Sequence, residues 1–327
     1  MVSVTLGVLV LSGMFGSPGL RAHAATGAFV HQTNFGQDCS SGIGVGITYD
    51  GTYLWYSCYA SGGSDDLIRA DPLTGAVSAH YNIDGGLGSL AYDSGRNVIW
   101  AAQAGGSGFG GPLGACVIAE IPLTASHDLD TGKTIATIPA PQCEGIVDGL
   151  AYDGGTDQLY WSPDVSSTIW LLTTTGAVVT TFSPDTSTGC GNSGVGLGGS
   201  ILYEGFNGCS AVVGVDKSTH AFLFKFSTLD ATGAPFRDES LTCDPNTFAS
   251  SGQQVMWTKD AYSPMLAVAY EIPAGSCGSG GQPVPPPTGV PEFPVGMVAV
   301  VAISMVGIAL LNARRGKSSH EIPFAGL

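Results

Sequence analysis

The sequence predicts an all-β chain: a β-propeller of about five four-stranded blades, with six as the alternative count. An N-terminal strand is expected to close the ring, and one C-terminal transmembrane helix to follow it. Three observations predict this. An apolar residue followed by an aromatic one recurs behind a Gly- or Asp-rich turn at Leu54-Trp55, Ile99-Trp100, Tyr160-Trp161, Leu202-Tyr203 and Met256-Trp257. Successive copies are 45, 61, 42 and 54 residues apart, longer than most solenoid repeats and suited to blades of four short strands. Glycine is abundant, 49 of 327 residues, and falls between apolar runs, where short strands need turns.

The elements follow in chain order. Residues 1–24 read as a signal peptide, with an apolar stretch from Val2 to Met14 and a small-x-small site at Ala22-His23-Ala24. The segment from Ala28 to Phe35 is a strand without a blade of its own. It is expected to dock as the outer strand of blade five and to cover otherwise open sheet edges. The phrases Gly46-Ile47-Thr48-Tyr49-Asp50-Gly51, Ser89-Leu90-Ala91-Tyr92-Asp93-Ser94 and Gly149-Leu150-Ala151-Tyr152-Asp153-Gly154 each read as a strand a ending in Tyr-Asp, turning tightly into the strand b that holds the tryptophan. Two degenerate copies place strand a at Gly196-Leu197-Gly198-Gly199 in blade four and at Phe248-Ala249-Ser250 in blade five. Alternating apolar and polar residues mark the outer strands c and d at Leu67–Asp71 and Ala76–Tyr81, at Thr168–Leu172 and Ala177–Phe182, and at Ala211–Val215 and Ala221–Phe226. Blade five supplies Val255–Thr258 and Met265–Ile272, then no fourth strand.

The repeated Tyr-Asp-Gly and Leu-Trp phrases, with Asp71-Pro72-Leu73-Thr74-Gly75-Ala76-Val77, resemble the YVTN, NHL and quinoprotein-like propeller superfamily. The resemblance implies the fold and leaves the activity open, since one propeller scaffold hosts many functions.

After the propeller, residues 275–291 read as a linker, Gly/Ser-rich and then Pro-rich. Pro291-Glu292-Phe293-Pro294 leads into residues 292–313, which hold an apolar span long enough to cross a bilayer. Residues 314–327 begin with Arg314, Arg315 and Lys317 and are expected to stay cytoplasmic, with the propeller outside. This tail resembles the PEF-type sorting signals of archaeal surface proteins. That resemblance implies cleavage by an archaeosortase and attachment to lipid; the alternative is a permanent single-span anchor. Either places the propeller at the cell surface.

Charge narrows the partners. The formal net charge is −15, and from Ala25 to Val290 there are 24 Asp and Glu against 7 Lys and Arg. Such a surface repels phosphate backbones, which argues against nucleic acid. It leaves room for Ca²⁺ or another divalent cation, with Asp38, Glu144, Asp148 and Asp244 as candidate ligands and Asp148 nearest the central channel. The repeated Asp of strand a is read instead as a turn cap.

The eight cysteines suit an oxidising compartment. Cys39, Cys143, Cys190 and Cys243 are placed in d-to-a connections, Cys58 and Cys209 at ends of strand b and Cys116 at the start of strand c, so that seven share one face. The expected pairs are Cys39 with Cys58, Cys190 with Cys209, Cys116 with Cys143, and Cys243 with Cys277.

No catalytic constellation is readable. His31, His80, His127 and His220 fall on outer strands or loops, G-x-S-x-G is absent, and the Gly-rich runs at 105–111 and 194–198 lack a strand-loop-helix setting. The expectation is a surface binding or interaction module for an extracellular protein or glycan. The alternatives are an extracellular hydrolase, lyase or cyclotransferase, five-bladed propellers being known among glutaminyl cyclotransferases, and a structural envelope component.

Overall fold

The computed structural model describes residues 25–36, 39, 43–59, 67–83, 86–103, 117–141, 147–263 and 265–278. The expected signal peptide, transmembrane helix and basic tail lie outside them. Among the described residues no helix is long and apolar enough to cross a membrane.

The first described strand is β1 (Phe29–Asn34). Blade one is β2 (Ile47–Tyr49), β3 (Leu54–Ser57), β4 (Leu67–Ala70) and β5 (Val77–Tyr81). Blade two is β6 (Leu87–Asp93), β7 (Val98–Gln103), β8 (Val117–Pro122) and β9 (Ala136–Pro139). Blade three is β10 (Val147–Asp153), β11 (Gln158–Pro163), β12 (Ile169–Thr173) and β13 (Val178–Phe182). Blade four is β14 (Gly194–Gly198), β15 (Ile201–Phe206), β16 (Ala211–Asp216) and β17 (Phe222–Ser227). Blade five is β18 (Ser240–Asp244), β19 (Gln254–Lys259) and β20 (Leu266–Ile272), with β1 as its outer strand. The five described sheets are therefore five blades, and the first strand of the chain closes the last blade. The 61-residue spacing is absorbed in the connections of blade two, including the 123–135 loop between β8 and β9.

Five apolar clusters fill the five inter-blade spaces. Trp55, Trp100, Trp161 and Trp257 each belong to one of them and are at most 1% exposed, as is Tyr203 in blade four. Each large ring buried there removes apolar surface from water and binds one sheet to the next.

The aspartate that ends strand a caps its own turn. Asp50 Oδ1 accepts the amides of Thr52 and Tyr53 at 2.8 and 2.7 Å, and Oδ2 accepts Trp55 Nε1 at 2.6 Å. Asp244 does the same for Asn246 and Thr247 at 2.8 and 3.0 Å and for Trp257 Nε1 at 2.9 Å. Asp93 and Asp153 also cap their turns, but there the second oxygen takes a cation, Arg96 at 2.7 Å and Lys217 at 2.9 Å. Correspondingly, the indole N–H groups of Trp100 and Trp161 find no acceptor. The cations also cross blade boundaries: Lys217 of blade four reaches blade three, and Arg96 of blade two grips Asp157 of blade three at 2.6 and 2.7 Å.

Blade five corrects the sequence reading. Its strand a is β18, not Phe248–Ser250, which forms a 3₁₀ turn over Ala249–Ser251. The strand ends at the capping Asp244, and the unusually long connection to Trp257 displaced the Gly-rich signal downstream. Cys243 therefore lies within β18 near its lower end, on the face of the a-to-b turns, and not in a d-to-a connection. The seven cysteines do not share one face. Cys39–Cys58 and Cys190–Cys209 staple the upper face, where the d-to-a and b-to-c connections lie, while Cys243–Cys277 closes at the lower one. Cys116 and Cys143 lie outside the described residues. Residues 275–278, expected as linker, pack on the propeller: Tyr203 Oη meets Ser276 Oγ at 3.1 Å, and Gln254 Oε1 accepts the Cys277 amide at 3.1 Å.

The inner strands crowd the axis. A Cβ on Gly46 would lie 2.3 Å from the Gly88 carbonyl oxygen, and one on Gly88 would lie 2.6 Å from that of Val147. Only glycine lets neighbouring inner strands approach this closely.

Candidate functional site at the channel mouth

The upper end of the channel gathers carboxyl groups from blades three and five over a polar ledge from blade four. Asp148 enters through an irregularity in strand pairing. In the β10–β11 ladder Val147 faces Pro163 and Gly149 faces Ser162, so Asp148 is the extra residue of a bulge. A bulge re-aims the side chain it carries. Gly149 beside it has no room for a Cβ, which would sit 2.9 Å from the Val195 amide. Asp148 is 2% exposed, and its Oδ1 has no hydrogen-bond partner.

Asp164 follows the end of β11. The next residue, Val165, holds φ +49°, a left-handed conformation that costs a β-branched residue energy and recurs at functional sites. Asp164 Oδ1 accepts Ser193 Oγ at 2.9 Å and Asn207 Nδ2 at 3.4 Å. Glu239 precedes β18, whose blade lies across the axis from that of β10. Its Oε1 accepts Asn207 Nδ2 at 3.1 Å, and its Oε2 accepts the Ala261 amide. Asn207 thus ties Asp164 to Glu239.

The electrostatics follow from burial. Desolvation pushes the Asp148 carboxyl well above the usual carboxylate range, and Asp164 and Glu239 push it further. Asp164 is also placed to accept its proton. Glu239 is pushed up by burial and by the charge of Asp260, against the hydrogen bond from Ala261. Arg237 reaches Glu239 Oε1 only at 3.7 Å and lies over the ring of Tyr262, which is 64% exposed at the rim. Burial lifts the Tyr59 phenol too, helped by Asp148 and Asp164, so its ring is close to both. The cluster can hold and release a proton, orient a donor-rich ligand, or act as an acid and base pair.

Of the two described acidic residues picked from the sequence, Asp148 is placed here and Asp244 is not. Asp244 sits at the lower end, fully engaged by its turn and Trp257, and Asp38 and Glu144 lie outside the described residues. Among the described residues, no group of three or more His, Cys, Asp or Glu is spaced to hold a metal ion. Asp164 and Glu239 escaped the sequence reading. Glu239 was hidden by the misplaced strand a of blade five, and Asp164 by its place after Trp161-Ser162-Pro163, the upper end of a strand b. The four histidines stand away from this mouth: His31 Nε2 meets the Leu73 carbonyl oxygen at 2.9 Å, His127 Nδ1 meets Asp50 Oδ2 at 2.9 Å, His220 stacks on Phe182, and His80 lies on the outer strand β5.

No protein family matches this chain by sequence, and no curated protein does. Solved structures resemble it in shape. The glutaminyl cyclase of Myxococcus xanthus aligns with a TM-score of 0.51 and 12% identity, over 75% of this chain and 97% of that one. At that identity the likeness is one of fold, and it agrees with the β-propeller seen here. A nidogen–laminin complex aligns with a TM-score of 0.42 at 12% identity, over 66% and 72% of the two chains. Apo AztD of Citrobacter koseri aligns with 0.33 at 13%, over 59% and 48%.

Proposed function

We propose that this chain is an exported propeller, tethered at the cell surface by its C-terminal segment, that serves as a binding module through the upper mouth of its channel. One observation carries the reading: Asp148, Asp164 and Glu239, from two blades that face each other across the axis, converge on a buried acceptor without a partner. Structural burial alone selects against such a group. A site built from loops on a rigid ring is where propellers with many functions vary. The three disulfides among the described residues support export. The tail resembling PEF-type signals supports anchoring, and the repeat phrases support a place near the YVTN and NHL propellers.

The test compares the full chain, in detergent, with a variant carrying Asp148→Asn, Asp164→Asn and Glu239→Gln, probed on glycan and extracellular-protein arrays. The reading expects ligands held by the wild type and lost by the variant. Equal retention by both would overturn it. Protease shaving of intact cells tests the location, with the propeller released if it stands outside.

A second reading is enzymatic, favoured by the shared fold with a glutaminyl cyclase and by a carboxyl pair with a proton to give. In such a cyclisation a terminal amine attacks a side-chain amide and ammonia leaves. The Asp148–Asp164 pair would take the proton from the amine and return it to the leaving nitrogen. Ammonia release from a peptide beginning with glutamine, abolished by Asp148→Asn, is the expected result; none from the wild type removes this reading.

A further inference from the structure

The mouth also states what it would bind. We propose that it takes the primary ammonium group of an amine ligand, seated among Asp148, Asp164 and Glu239. This rests on the mouth being a binding site.

The donors already present decide the chemistry. Glu239 has both oxygens occupied, by Asn207 Nδ2 and by the Ala261 amide, and Asp164 Oδ1 is held by Ser193 and Asn207. These contacts fix the outer carboxyls in place. What remains open is Asp148 Oδ1, buried and without a donor. An ammonium brings three N–H donors on one compact charge and needs only acceptors at hydrogen-bond distance. A divalent cation needs several oxygens drawn into its own coordination sphere, and the described carboxyls are not spaced for that. An anion would meet three acids.

Charge balance gives the signature. In the free site, burial and the neighbouring carboxyls of Asp164 and Glu239 raise the Asp148 carboxyl well above the usual carboxylate range. When R–NH₃⁺ enters, the proton on Asp148 leaves to solvent, so one positive charge replaces another: R–NH₃⁺ plus the protonated site gives the R–NH₃⁺ complex plus H⁺. Binding should release close to one proton. Affinity should then rise about tenfold per pH unit wherever the free site is protonated.

The test is titration calorimetry on the full chain, in two buffers of different ionisation enthalpy. The probes are trialanine amide with a free amino terminus, the same peptide acetylated, acetyl-lysine amide with its side-chain ammonium free, and 1,5-diaminopentane. The expected result is binding of at least one free amine with proton release and at least tenfold weaker binding of the acetylated trialanine. Which free amine binds separates a peptide terminus, a lysyl side chain and a diamine. Asp148→Asn mimics the protonated acid and keeps the fold, and should abolish proton release and weaken amine binding at least tenfold. Equal binding of acetylated and free peptide, amine binding untouched by Asp148→Asn, or Ca²⁺ binding that amines do not displace would each overturn the ammonium assignment. If no free amine binds while the triple variant still loses array ligands, the ammonium inference fails alone. If the triple variant loses nothing, the binding reading fails with it.

Discussion

Glu204 on β15 is a buried acid away from the channel mouth, and it makes stability depend on pH in a calculable direction. It is 1% exposed, its Oε2 accepts the Asp185 amide at 2.7 Å, and burial pushes its acid up to about 7 from an ordinary 4.5. Below pH 4.5 the group is neutral in both folded and unfolded chains, and nothing is lost. As pH rises, the unfolded chain ionises first, and the folded chain binds more protons. Stability therefore falls from about pH 4.5 until the folded group ionises near 7, then levels. At 1.36 kcal/mol per pH unit the loss amounts to about 3 kcal/mol. Glu204→Gln keeps an oxygen for the Asp185 amide and cannot ionise. It is expected to match the wild type at pH 4.5 and to be more stable by about 3 kcal/mol at pH 8. Urea unfolding from pH 4.5 to 8.5, followed by tryptophan fluorescence, measures both curves. A difference between wild type and variant that stays constant across that range would refute the reasoning.

Three further outcomes follow from the packing. Asp50→Ala strips two turn amides and the buried Trp55 Nε1 of their acceptor and should destabilise by about 3 kcal/mol, against about 1 kcal/mol for Asp71→Ala at an exposed turn; urea midpoints compare them. Gly88→Ala should collapse the folded yield because its Cβ would meet the Val147 oxygen, whereas Gly233→Ala, with open space around it at φ +83°, should cost about 1 kcal/mol in a thermal melt. Replacing both Cys243 and Cys277 by Ser opens a loop with a sequence separation of 34 and should cost about 3–4 kcal/mol in the chain-entropy model, read as a lower urea midpoint; an unchanged midpoint would show the staple to be idle.

Much of this protein was legible in its sequence because its determinants are local and repeated. A Tyr-Asp before a tight turn specifies a cap within three residues, and an apolar-aromatic pair specifies the inward face of strand b. Repetition of both gave the blade count, and the unpaired Ala28–Phe35 segment gave the closure with β20. The spacing of 19 shared by Cys39–Cys58 and Cys190–Cys209 was legible for the same reason. Blade five broke the pattern, since its long connection carried the turn signal away from Asp244, and the face of Cys243 went with it.

The channel mouth depended on tertiary structure. Asp148, Asp164 and Glu239 come from β10, the end of β11 and the approach to β18, and no local signal joins them. Their meeting follows from ring closure, which brings blades three and five to opposite sides of one axis. The bulge at Asp148 then turns a carboxyl inward, and burial beside Asp164 and Glu239 raises its pKa. Sequence determines which residues cap, turn and pack, because those interactions act over a few residues. Only the closed ring decides which acids share a dry space, because solvent exclusion and charge repulsion act through distance in space.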